Sequence, residues 1–101
     1  MAAKRIDLDV VTGRFIITPY ELDMFIKTND TVEFKEKKSR RFWIVFHGAS
    51  PLKEKNISDK NPKSGLDPAV IEGAYPYAVA ILSSKNNELF LQAHCPSIIV
   101  H

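Results

Sequence analysis

Four residues carry side chains able to ligate a metal or attack an electrophile: His47, His94, Cys95 and His101. Two imidazoles and a thiolate fill three of zinc's four tetrahedral positions. His94, Cys95 and His101 therefore form one candidate set, and His47 is a further candidate ligand. Zinc sites in sequence normally show two paired ligand motifs, however, whereas this chain offers one adjacent pair and a terminal histidine. Cys95 beside His94 also suggests a nucleophile with its base. In an extended strand adjacent side chains point to opposite faces, so that thiol and imidazole diverge. His47 closes the run "FWIVF", and Gly48, Ser50 and Pro51 resist further extension. It reads as a strand-end histidine whose ring bonds loop backbone. Asp67 and Glu72 have no acid–base context, and the four glycines are scattered rather than gathered into a phosphate-cradling loop. The chain is expected not to be an enzyme and to carry no cofactor.

Charge narrows the partners. Fourteen Lys and Arg against twelve Asp and Glu leave a net charge of +2, too small for a dedicated nucleic-acid or membrane binder. The one basic run, "KEKKSRR" from Lys35 to Arg41, has the composition of an acidic-partner or phosphate-backbone contact. It reads more simply as solvated charge at a hairpin tip. A single cysteine makes no internal disulfide, and "MAAKRIDLDV" has no apolar leader core. No apolar run approaches the ~20 residues of a membrane helix. The expectation is a soluble, cytoplasmic protein.

The elements that must hold these residues show period-two alternation. "RIDLDV", "RFIIT", "LDMFI", "TVEFKE", "FWIVF", "YPYAVAIL", "ELFLQA" and "SIIV" each alternate or run apolar over strand length, with turn-formers between them. "LDMFI" puts Leu22, Met24 and Ile26 on one face, and "HCP" reads as a bulge or bend interrupting the last strand. At 101 residues the chain is a single domain, residues 1–101, with 45% hydrophobic content. Seven or eight short strands predict a β-sandwich or small barrel. Residues 48–68 form a long polar loop whose Lys, Asn, Ser and Pro content points to loose order. Phe42, Ile44 and Phe46 face the core by alternation. Trp43, Val45 and His47 then share the outer face, where an indole needs cover from the 51–68 segment or from a partner.

Together, "FIKTNDTVEFKEK", "GAYPYAVAI" and the closing "SIIV" resemble the cupredoxin strand patterns over residues 15–100. More narrowly, the chain is similar to small bacterial cupredoxin-like proteins without a recognisable copper site. The resemblance implies an all-β, Greek-key, cupredoxin-like β-sandwich. Copper in that family sits in a His₂Cys set with a weak axial Met. By the resemblance, the first histidine position falls on Phe42 and the cysteine position on Val79. The loop for the remaining ligands is reduced to "SSKNN". The resemblance thus implies a copper-free scaffold serving as a non-catalytic binding module. Its partner would be an unidentified protein or a second copy, meeting Trp43, Val45 and His47. The alternative is a zinc or copper protein using His47, His94, Cys95 or His101, and the third reading is a small enzyme.

Overall fold

The computed structural model describes residues 2–85, 87–92 and 94–101. Among these residues there is no helix, and ten strands form two mixed sheets rather than a barrel. No helix is therefore long and apolar enough to cross a membrane.

The chain opens with β1 (Ala3–Val11) and β2 (Arg14–Thr18), joined by Thr12 and Gly13. Both turn residues have positive φ, 51° and 77°, which suits a two-residue hairpin whose twist matches its strands. β3 (Glu21–Met24) crosses to the second sheet, and β4 (Thr31–Glu36) returns to lie parallel to β1. Next along the chain are β5 (Arg41–Phe46), β6 (Ile57–Ser58), β7 (Lys63–Gly65), β8 (Gly73–Ser83), β9 (Glu88–Leu91) and β10 (Ser97–Val100). One sheet has the order β2-β1-β4-β7 and the other β3-β10-β8-β5-β6, with β9 also beside β8. Ile6, Leu8, Val32 and Phe34 from the first sheet share a core with Phe42, Tyr77, Val79, Ile81 and Ile98 from the second.

Three expectations are corrected. Residues 48–68 are not a loose polar loop, because they contain β6 and β7 and bury Pro51, Leu52, Ile57 and Leu66. The segment is held from within by a Leu52–Leu66 bridge, and Asp59 accepts the Phe42 amide at 3.1 Å. These two strands take the count from eight to ten. Ile26 is exposed, unlike Leu22 and Met24, because β3 ends at Met24 and the chain turns back through Asn29 at φ 52°. The basic run from Lys35 to Arg41 is not a hairpin tip. β4 and β5 belong to different sheets, so the run is a corner between them, and Glu36 and Arg40 turn inward there to form an ion pair at 2.8 Å.

The bend at "HCP" is present. Leu91 pairs with Ala80 and Ser97 with Pro76, so the register between β9 and β10 slips by two residues. On this side of β8 the Tyr77 amide donates to the Pro96 carbonyl at 2.9 Å, which fixes where pairing resumes after the bulge.

Tyr77 is fully buried, with Phe34 edge-on at 5.7 Å and Phe46 at 5.5 Å. Phe46 itself is only partly buried and marks the margin of the core. Among the described residues none hydrogen-bonds the Tyr77 hydroxyl, and burial pushes that phenol far above its ordinary pKa. An unsatisfied buried hydroxyl costs free energy, so Tyr77→Phe should raise stability by about 1 kcal/mol. A urea titration checks this, and a lowered midpoint would show that the hydroxyl has a partner.

Candidate functional site

The face that presents Trp43 is built from β8 outward. Along β8, Tyr77, Val79 and Ile81 point into the core, so Ala74, Pro76, Ala78, Ala80 and Leu82 point out. Every one of these outward residues is apolar. On one flank, register sets Val45 opposite Ala78, Trp43 opposite Ala80 and Arg41 opposite Leu82. On the other flank Leu91 lies opposite Ala80 and Leu89 opposite Leu82. Two rows therefore cross the sheet, Trp43–Ala80–Leu91 and Arg41–Leu82–Leu89. Val45, Leu89 and Leu91 are 62%, 56% and 68% exposed. From strand spacing and rise, the patch covers on the order of 300 Å², the scale at which an apolar patch on a monomer is often functional.

Of the two sources of cover expected for Trp43, the 51–68 segment supplies part through β6. Trp43 is half-buried, the Arg41 guanidinium lies 4.9 Å from its ring, and β6 pairs alongside through Ser58. Between Trp43 and the 48–58 segment lies a groove of about 550 Å³ that also meets Val45, Gly48 and Asn56. The end of the face at Arg41 is basic. Lys37 and Lys38 precede Arg41 in the corner, and Lys85 follows β8 at the same end of the sheet, all of them exposed.

The candidate ligands separate into three places. His101 ends the chain beside β3, with Nε2 at 2.9 Å from Asp23 and its ring stacked on Phe25 at 4.9 Å. His94 is exposed near Phe15 and Leu91. His47 and Cys95 meet, with Nε2 and Sγ 3.0 Å apart. The expectation that the His47 ring bonds loop backbone is thus corrected: the ring meets the Cys95 thiol, and the main-chain N–H donates to the Pro76 carbonyl of β8 at 3.1 Å. Among the described residues no three His, Cys, Asp or Glu side chains gather as a metal would require. Phe42 and Val79 are 3% and 1% exposed in the core.

Sequence reasoning found Trp43 and Val45 but missed the β8 and β9 parts of the face. Its signal was present in "YPYAVAIL", a nearly unbroken apolar run of the kind that marks a strand apolar on both sides. Comparison with family models finds no match to the chain, and comparison with curated proteins finds none either.

Proposed function

We propose that this chain is a non-catalytic protein-interaction module on a copper-free, cupredoxin-like β-sandwich. It docks through the outer face of its larger sheet. The uniformly apolar outward side of β8, flanked by exposed Val45, Leu89 and Leu91, carries the reading. Two mixed sheets around one core, and the burial of Phe42 and Val79, support the copper-free scaffold. The patch has the size of an interface core, so a complete interface needs a polar rim around it. Here that rim is basic at Lys37, Lys38, Arg41 and Lys85, which fits a protein surface whose apolar patch is edged by carboxylates. A lone cysteine suits a reducing compartment such as the cytoplasm.

The test compares the parent chain with a Val45→Glu, Leu91→Glu double variant as immobilised bait. Both positions are exposed, so unfolding temperatures should stay close while the captured partner is lost. Parent binding should also weaken as salt rises, because the rim is charged. An identical captured set on both baits would end this reading. A parent dimer in sedimentation analysis that the variant dissociates would make the partner a second copy.

A further inference from the structure

We infer that Cys95 is an imidazole-activated thiol, a modification site for small disulfides. Cys95 and His47 are 48 residues apart; His47 directly follows β5 and Cys95 shortly precedes β10, the strands on either side of β8. Their side chains meet across that strand near Pro76. Backbone bonds to β8 hold both segments: the His47 amide donates to the Pro76 carbonyl at 3.1 Å, and the carbonyl of Pro96, next to Cys95, accepts the Tyr77 amide at 2.9 Å. The register slip between β9 and β10 places Cys95 within reach of the imidazole, and bulges recur where a strand must re-aim a side chain. His47 is exposed and Cys95 partly exposed, so a reagent reaches the sulfur from the open face.

A thiol with a base at hydrogen-bond distance is the arrangement that activates cysteine as a nucleophile. The proton moves from Sγ to His47 Nε2, and the thiolate attacks one sulfur of a low-molecular-weight disulfide. The disulfide's S–S bond breaks as the new bond to Cys95 forms, and the departing thiolate takes the proton from Nε2. Cys95 is oxidised and the departing half is reduced, so the exchange needs no other oxidant. Excess thiol reverses it.

The experiment treats the folded chain with glutathione disulfide and follows adduct formation by intact mass. One adduct per chain is expected, and none on Cys95→Ser. Its rate should exceed, by about tenfold or more, both that of the same chain unfolded in urea and that of His47→Gln. A folded-chain rate no higher than the unfolded one overturns the assignment, whatever the variant does. So does an unchanged rate in folded His47→Gln.

Discussion

Phe34→Ala should remove about 3–5 kcal/mol of folding stability, the cost of emptying a large aromatic site in a packed core. Phe34 is 1% exposed on β4, the strand between β1 and β7 in the smaller sheet. Its ring meets Tyr77 of the larger sheet at 86°, so the contact spans the two sheets. Backbone ladders fix β4 on both sides, and a strand so held cannot collapse into the void. Small domains have only about 5–15 kcal/mol in total, so the urea midpoint should fall by a large fraction. Val45→Ala, on the outer face of the larger sheet, should change stability by less than about 0.5 kcal/mol. A Phe34→Ala loss below about 1 kcal/mol would mean that the two sheets do not pack through this ring.

How much of this could be read from sequence depended on whether the deciding contact was local. "RFIIT", "TVEFKE" and "SIIV" coincide with β2, β4 and β10, because alternation is enforced residue by residue once one face is buried. The 48–68 segment gave no such pattern. Leu52, Ile57 and Leu66 stand singly among polar neighbours, and their burial depends on partners outside any local run: Ile57 pairs with Ile44 of β5, and Leu52 bridges Leu66. Ile26 continued the apolar period, but the turn at Asn29 took the backbone out of the sheet before the period could act. The corner after β4 had the composition of a solvated tip, and nothing local distinguishes a hairpin from a crossing between sheets. The His47–Cys95 contact was the least accessible of all. It depends on a two-residue slip between β9 and β10, and a slip of one residue would send the thiol to the other face. The apolar outer side of β8, by contrast, was present in its residue string and needed only to be read as two-sided.

That corner also supplies the second large effect. Arg40→Met should cost about 3–5 kcal/mol at neutral pH, the usual result of removing one partner of a buried ion pair. Glu36 is 3% exposed, and its carboxylate receives Arg40 Nε at 3.0 Å and the same guanidinium's terminal nitrogen at 2.8 Å. That nitrogen also reaches Asp9 at 3.0 Å. The variant keeps the amides of Lys38 and residue 40 on Glu36 but leaves two carboxylates without their cation. Arg40→Lys should recover part of the loss, since a point charge cannot reproduce the fork. The pH dependence separates this from a simple packing defect. Burial alone would raise the Glu36 pKa, but hydrogen bonds from Arg40 and the guanidinium's charge hold it below the usual range. A carboxylate depressed in the folded state stabilises above its unfolded pKa, and that stability fades as pH falls through the folded one. Asp30, held down to about 2 by Thr28, the Phe25 amide and Lys4 against the effect of burial, adds to the same acid loss. The parent should therefore weaken as pH falls below the ordinary carboxylate range. In Arg40→Met, protonation instead relieves an uncompensated buried charge. The stability gap between parent and variant should narrow steadily in denaturant titrations carried from neutral pH into acid. A gap that stays constant across that range would show that the cost of losing Arg40 is packing and not charge.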